Sequence, residues 1–344
     1  MGKDSSRLES TQLIFNLLSY SKQIDSQNIF EMIIISLFEG LGNQMFQYAA
    51  GRYLAEKHST ILKLDLSSFE SSEQRKYSLH CFNIQENLAT QDEINTLLKH
   101  PRNKAERLLE KVNRKIGGKS QVSKSLIQEK FFHFDPYILE VPNNSYLHGF
   151  WQSEKYFYKI RDILLNEFSI KYPQNNQNKA LTEKIKLHDS VSLHIRRGDY
   201  IQNKTANQFH GICCLDYYKR CVNYIKEKIV DPHFFIFSDD PDWVKENLNL
   251  NLPMTIVDSN NGLRSYEDLR LMSECKHNII ANSSFSWWGA WLNSHPEKIV
   301  CAPAQWFKDK STGTRYTLPQ GLIPWYKDEF VDTKDLLPED WIKL

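Results

Sequence analysis

The sequence predicts an α/β fold of mostly parallel strands, and three observations predict it. The second half of the chain alternates short apolar strands with amphipathic helices. The first half opens as a strand–helix–strand unit. Between them lies Lys171-Tyr-Pro-Gln-Asn-Asn-Gln-Asn178, a polar stretch with a helix breaker that reads as an inter-domain linker. Alternation of this kind covers a parallel sheet on both faces, and ligands then sit beyond the carboxyl ends of the strands. The 344 residues suit two domains. The expected division is a leader or extension at 1–31, an N-terminal domain at 32–175 and a C-terminal domain at 176–344.

The elements follow in order. Residues 1–31 are rich in Ser, Gln and Asn, with one apolar patch at Leu13–Leu18. They read as an appendage, with a short amphipathic helix for membrane-surface or partner contact as the alternative. Met32-Ile-Ile-Ile-Ser-Leu-Phe38 is the first strand. After the loop Glu39-Gly-Leu-Gly-Asn-Gln44, a helix carries Met45, Phe46, Ala49, Ala50, Tyr53 and Leu54 on one broad face. Ile61–Leu66 reads as a second strand, 91–130 as a charged helical insertion, and Tyr146–Trp151 as a strand before a helix at 153–168. In the second half, strands at 191–196, 233–237, 254–257, 278–281 and 299–302 alternate with helices at 215–229, 241–248, 266–275 and from about Trp287.

Composition narrows the function classes. The net charge is +1, so no global field draws the chain to nucleic acid or anionic membrane. The basic residues form no stripe with interleaved aromatics, which speaks against a nucleic-acid binder. Any anion site must be local. The six cysteines show no C-x-x-C pair and no zinc spacing, and they read as reduced thiols of a cytoplasmic protein. No apolar run reaches the length of a membrane span, and the N-terminus lacks the order of a signal peptide.

Polar chemistry concentrates at the strand ends of the second half. Val191, Leu193 and Ile195 alternate with Ser192, His194 and Arg196, a strand running into Arg196-Arg-Gly-Asp199. An arginine at the end of a rigid strand pairs two oxygens of a phosphate or carboxylate. Alternation puts His194 and Arg196 on one face and turns Arg197 to the other, so Arg196 is assigned to the ligand and Arg197 to a structural pair with Asp199. The next strand ends in Ser238-Asp-Asp-Pro-Asp242. Asp240 and Pro241 make a helix start; Asp240-Pro-Asp242 also has the D-x-D form that holds a divalent metal in many glycosyltransferases. Asp239, not needed as the cap, is the better functional candidate. Ser265-Tyr-Glu-Asp268 has the form of a capping box with Asp in place of Glu, and the alternative role for Asp268 is to accept two N–H bonds from a base edge. Asn282-Ser-Ser-Phe-Ser-Trp-Trp-Gly-Ala-Trp291 is a hydroxyl-rich turn entering a helix, suited either to ordinary capping or to cradling a diphosphate. An arginine at one strand end and a serine-rich helix start at another form a two-sided diphosphate clamp. No Walker A sequence is present, and Gly40-Leu-Gly42 has Met45 where a dinucleotide fingerprint has its third glycine.

These residues resemble a known family. His194-Ile-Arg-Arg-Gly-Asp199 is similar to the H-x-R-R-x-D motif of inverting fucosyltransferases that use GDP-fucose. Gly40-Leu-Gly-Asn-Gln-Met-Phe-Gln47 with Tyr48-Ala49, and Asn282–Trp291, resemble the two long motifs of the α-1,2-fucosyltransferases of glycosyltransferase family 11. The resemblance runs from Met32 to about Trp306, leaving the leader outside. It implies a GT-B-like fold, two Rossmann-like domains with a cleft between them. The C-terminal domain would hold GDP-fucose and the N-terminal domain would shape the acceptor side. By motif, Arg196 would neutralise the departing β-phosphate and His194 would contact the guanosine end. Asp268 would bind guanine, and Ser283, Ser284 and Phe285 would line the phosphate and nucleoside pocket. Asp239 falls in the shared Asp-Asp-Pro segment, and Asn43 and Gln44 would face the fucose. Glu39 stands where members of the family usually show Gly.

The implied reaction is transfer of L-fucose from GDP-β-L-fucose to the 2-OH of a terminal β-galactose of an oligosaccharide or glycolipid, in bacterial surface-glycan synthesis. The linkage formed is α, so the anomeric centre inverts. No cofactor and no metal are expected, since Arg196 and the helix N-terminus take over the charge stabilisation a metal gives elsewhere. Arg196 and Asp199 are the catalytic candidates, and Glu39, His210 and Asp199 are candidates for the base. Two other classes fit parts of the pattern: a metal-dependent glycosyltransferase using Asp240 and Asp242 with another nucleotide sugar, and a non-catalytic module that binds a GDP-sugar or a glycan.

Overall fold

The computed structural model describes residues 31–70, 75–98, 125–198, 201, 210–260, 262–308 and 331–344. Asp199, all of the leader but Glu31, and most of the expected insertion at 91–130 lie outside the described residues. The described chain forms two all-parallel sheets flanked by helices, the α/β, GT-B-like arrangement of two Rossmann-like halves. The first sheet contains β1 (Met32–Ser36), β2 (Ile61–Asp65), β3 (Leu126–Gln128) and β4 (Ser145–His148), in the order β2-β1-β4-β3. The second contains β5 (Asp189–Ile195), β6 (Pro232–Ser238), β7 (Met254–Val257), β8 (His277–Ile279), β9 (Val300–Ala302) and β10 (Ile342–Lys343), in the order β10-β9-β8-β5-β6-β7.

These orders place the ligand-binding region before any side chain is considered. In the first sheet the connections diverge between the neighbours β1 and β4, and in the second between β5 and β8. Such switch points leave a crevice at the carboxyl ends of the strands.

Besides the single turn Ser67–Glu70, the helices among the described residues are α1 (Leu41–His58), α2 (Gln91–Leu98), α3 (Arg161–Glu167), α4 (Asn176–Lys186), α5 (Leu215–Lys226), α6 (Pro241–Asn247), α7 (Ser265–Glu274) and α8 (Ser284–Leu292). The linker is shorter than expected, because Asn175 caps α4 by accepting from the Asn178 N–H at 2.8 Å. The expected helix at 153–168 is broken into two 3₁₀ turns before α3. The strand expected at 146–151 stops at His148, because the chain turns sharply at Trp151, a buried residue with φ 57°. Short β3 and β10 carry too few residues for a periodic signal, and each is defined by its partner: β3 by β4 and β10 by β9.

One hydrophobic core joins the halves. Phe46 of α1, Phe157 and Phe168 pack with Trp287, Trp288 and Trp291 of α8. The Phe157 and Trp288 rings stack at 5.4 Å, and the Trp288 indole N–H donates to the Gly42 carbonyl at 3.0 Å. The chain after Val331 closes the same joint: the Leu336 carbonyl accepts from the Trp287 indole N–H at 2.9 Å, and Asp335 pairs with Lys155 at 2.7 Å. The carboxyl end of α8 is neutralised from both halves. Lys298 Nζ donates to the Ala290 and Asn293 carbonyls at 2.8 Å, and the Arg161 guanidinium lies 4.2 Å over the Trp291 ring. Burial lowers the Lys298 ammonium to about 8, yet cations at this end still complement the helix dipole. Among the described residues, no helix is long and apolar enough to cross a membrane.

Where α1 meets α8 there is no room for a side chain. A Cβ on Gly42 would lie 2.5 Å from the Ser284 carbonyl carbon and 2.6 Å from the Phe285 nitrogen. Both neighbours are backbone, so they cannot yield cheaply. Gly42→Ala is expected to lower unfolding free energy by about 1–3 kcal/mol, read as a shifted midpoint in urea denaturation.

Candidate active site

A cavity of about 510 Å³ lies between the halves and is lined by both. From the first half come Glu39, Gly40, Leu41, Gly42 and Asn43 after β1, Arg75, Phe132, and Phe150 and Gln152 after β4. From the second come His194 and Arg196 at the end of β5, Ser238 and Asp239 at the end of β6, Asp258 and Asn260 after β7, and Asn282, Ser283, Ser284 and Phe285 after β8. Both switch points therefore open onto the same space.

Arg196 reaches the cavity as alternation predicts, and Asp239 holds it. Arg196 Nη1 lies 3.0 Å from Asp239 Oδ2, while Asp239 Oδ1 accepts from the Arg197 backbone N–H at 2.8 Å. A Cβ on Gly198 would fall 2.6 Å from Asp239 Oδ2, so the glycine after the two arginines lets this carboxylate approach. Arg197 points the other way. Its Nε pairs with Asp240 at 3.2 Å, and its guanidinium covers the Trp243 ring at 3.7 Å. The structural role expected of Arg197 is present, but its described partners are Asp240 and Trp243; Asp199 lies outside the described residues.

Asp240 is the helix cap. Its Oδ1 accepts from the Trp243 N–H and its Oδ2 takes Arg197. Asp242 is exposed beside Lys245. Among the described residues no group of three His, Cys, Asp or Glu side chains could hold a metal ion.

His194 is buried in the cavity wall, 5.8 Å from the Phe285 ring. Burial, helped by the nearby Arg196 charge, lowers its imidazole to about 3. The ring is therefore neutral at neutral pH and offers one donor and one acceptor. Its Nδ1 has no hydrogen-bond partner among the described residues.

Asp268 lines the same cavity. The capping box expected at Ser265–Asp268 does not form: Arg264 occupies the N-cap, with no side-chain cap. Asp268 Oδ1 instead accepts from Asn260 Nδ2 at 3.0 Å, and Asn260 exchanges two amide hydrogen bonds with Asn178. Burial pushes the Asp268 carboxyl up to about 7, against the pull of Asn260.

The hydroxyl-rich turn does two jobs at once. Ser283 Oγ accepts from the Phe285 N–H, so α8 begins at Ser284, three residues before the expected start. Ser283, Ser284 and Phe285 also line the cavity, so the α8 N-terminus opens onto the space that Arg196 lines. Asn282 braces the turn by donating to the carbonyls of His210 and Trp306. His210 lines the cavity near Phe307.

On the first half, Asn43 lines the cavity and accepts from Gln152 Nε2 at 2.7 Å. Gln44 does not line it. Its amide is fully buried and engaged at both ends: Nε2 donates to the Glu39 and Lys76 carbonyls at 2.7 and 2.9 Å, and Oε1 accepts from the Ser78 N–H at 2.8 Å. The helical period explains this, since adjacent positions on α1 lie about 100° apart and only Asn43 turns outward.

Arg75, Phe132, Phe150, Gln152 and Asn260 join the site although the sequence does not single them out. Phe150 and Gln152 follow a strand, which is the one available signal. What aims them is the left-handed Trp151, stabilised by buried Glu129, whose two oxygens accept from the Phe150 and Trp151 N–H groups at 2.8 and 2.9 Å.

The Asp268 carboxyl gives a pH test. Its pKa in the folded protein lies above the ordinary 3.8, so the folded state holds the proton more tightly than the unfolded state. Its contribution to stability is lost as pH rises from about 4 to about 7. Asp268→Asn keeps the acceptor for Asn260 and cannot ionise. Its melting temperature relative to the wild type is expected to climb across that window and level off above it, read by calorimetry without ligand.

The model of the family described as Glycosyl transferase family 11 matches residues 3–316. This span takes in most of the first 31 residues, beyond the start at Met32 that the motifs suggested. The chain is 38% identical over 285 residues to the O-antigen biosynthesis glycosyltransferase WbnK of Escherichia coli, covering 78% of this chain and 92% of that protein. It is 32% identical over 324 residues to an α-1,2-colitosyltransferase of Escherichia coli, covering 91% and 99%. It is 23% identical over 154 residues to the galactoside α-(1,2)-fucosyltransferase 1 of Homo sapiens, covering 42% of each. On the family match and on two relatives above 30% identity that span most of its length, the chain belongs to glycosyltransferase family 11.

Proposed function

We propose that this glycosyltransferase transfers L-fucose from GDP-β-L-fucose to the 2-OH of a terminal β-galactose, with inversion and without a metal ion. The observation that carries this reading is the convergence of Arg196, braced by Asp239, and the α8 N-terminus with its Ser283–Ser284 turn at one switch point of the cavity. In the reaction the bond between the anomeric carbon and the β-phosphate oxygen breaks, and a bond from that carbon to the acceptor oxygen forms on the opposite face. The acceptor hydroxyl gives up its proton, and negative charge grows on the departing diphosphate. A fixed guanidinium and a helix N-terminus stabilise that growing charge without reorganisation.

The remaining donor contacts follow from the chemistry of the wall. Asp268 suits the N–H edge of guanine, whose two donors favour its ionised form. Neutral His194 and Phe285 suit the nucleoside. Asn43, Gln152 and Phe150 face the space on the acceptor side. The acceptor is a galactoside of a bacterial surface glycan, a reading supported by the name of the WbnK relative. Asp240 is committed to its cap and to Arg197, which supports the metal-free reading. Of the base candidates, His210 lines the cavity, while the Glu39 carboxylate, which lines it too, is paired with Arg75.

A second donor has specific support. The relative that covers 91% of this chain is named an α-1,2-colitosyltransferase. Colitose is fucose without its 3-hydroxyl, so the leaving group and the linkage are the same. GDP release is to be measured with GDP-fucose and with GDP-colitose against a panel of β-galactosides, with and without EDTA. Acceptor-dependent release from GDP-fucose that survives EDTA is expected. Release from GDP-colitose alone would replace the sugar in this reading, and abolition by EDTA would overturn the metal-free mechanism.

Arg196→Ala is expected to lower transfer by about a hundredfold or more while leaving the melting temperature close to that of the wild type, because the side chain is partly exposed at the cavity. Near-normal turnover in this variant would remove Arg196 from the mechanism.

A further inference from the structure

Glu39 occupies a conformation that suits glycine. Its φ is 65°, in the left-handed region that costs a residue with a Cβ free energy that glycine does not incur. Strain kept at a cavity wall points to use, and three further features show what holds the residue there. The Glu39 carboxylate pairs with Arg75 Nε at 3.4 Å, and both side chains line the cavity. The Glu39 carbonyl accepts from Gln44 Nε2, and the same buried amide grips the Lys76 carbonyl and the Ser78 N–H. One fully buried side chain thus ties the turn carrying Glu39 to the segment following Arg75.

We infer that Glu39 and Arg75 form an acceptor-recognition pair, the carboxylate accepting from sugar hydroxyls and the guanidinium donating to a sugar oxygen. This rests on the functional reading above. Both belong to the first half of the cavity, Glu39 after β1 and Arg75 after β2, whereas the Arg196 and α8 clamp belongs to the second. A carboxylate suits hydroxyl donors and repels a diphosphate, so it fits the acceptor rather than the donor. The pair is one-third to two-fifths exposed, open enough to exchange water for sugar hydroxyls.

The test is Glu39→Gly and Arg75→Gln in the full chain. Each is measured by the KM for lactose in GDP-fucose transfer, by lactose binding to the GDP-loaded protein, and by melting temperature. Loss of a hydrogen bond to a charged group corresponds to roughly tenfold or more in affinity. The lactose KM and dissociation constant of Glu39→Gly are expected to rise by about that factor, with an unchanged KM for GDP-fucose and a melting temperature no lower than wild type. Arg75→Gln is expected to move the same constants in the same direction, and the double variant to lose less than the product of the two. Lactose constants unchanged in both variants, beside a wild type that transfers normally, overturn this inference alone. A wild type that binds GDP but transfers to no β-galactoside overturns the functional reading, and this inference with it.

Discussion

Trp288 donates its indole N–H to the carbonyl of Gly42, and everything at the cavity depends on that contact. It sets the first turn of α1 directly against the first turn of α8, so the two switch points open onto one space. The contact is possible because residue 42 has no Cβ; any side chain would meet the backbone of Ser284 and Phe285. The aromatic rings behind it make the contact stiff. Phe46 and Phe157 from one half and Trp287, Trp288 and Trp291 from the other share one core, and burying such rings contributes several kcal/mol each. A joint of this kind fixes where the helix N-termini point, and electrostatic stabilisation needs that fixity.

Around this joint the polar groups pair by division of labour. Of two adjacent arginines, one is held toward the cavity by Asp239 and the other is locked onto Asp240 and Trp243. Of two adjacent amides on α1, Asn43 faces the cavity and Gln44 is spent on backbone groups. Glu129 resembles Gln44 in this respect: a buried carboxylate meets two backbone N–H groups and thereby places Phe150 and Gln152. Gln44 and Glu129 thus shape the cavity wall without lining it. The depressed basicity of His194 and the raised pKa of Asp268 have a common cause, burial in the same wall.

The fold was legible in the sequence to the extent that its strands were periodic. The run Met32–Ser36 and the alternation through Val191–Ile195 carry enough apolar positions to declare themselves, whereas β3 and β10 do not. The site was legible where a motif sits on a strand end, as with Arg196, Asp239, Ser283 and Asn43. It was not legible where a residue reaches the cavity through an irregular turn. Phe150 and Gln152 depend on a left-handed tryptophan, Arg75 on a segment tied by Gln44, and Asn260 on an amide pair with Asn178, distant in sequence. Cap chemistry was equally mixed: Asp240 caps its helix as read, while Ser265 does not.

By itself the sequence determined the parallel α/β architecture, the opposite facing of Arg196 and Arg197, and the family, because these follow from local period and contiguous motif. Only the tertiary structure decided that Gln44 is a brace and Asn43 a wall, that Asp239 is the partner of Arg196, and that Glu39 stands in a strained turn beside Arg75. The reason is physical. Period and motif describe what a segment does to its own backbone, while a side chain's role depends on which distant groups are within hydrogen-bond reach, and only packing of the two halves around α1 and α8 brings those groups together.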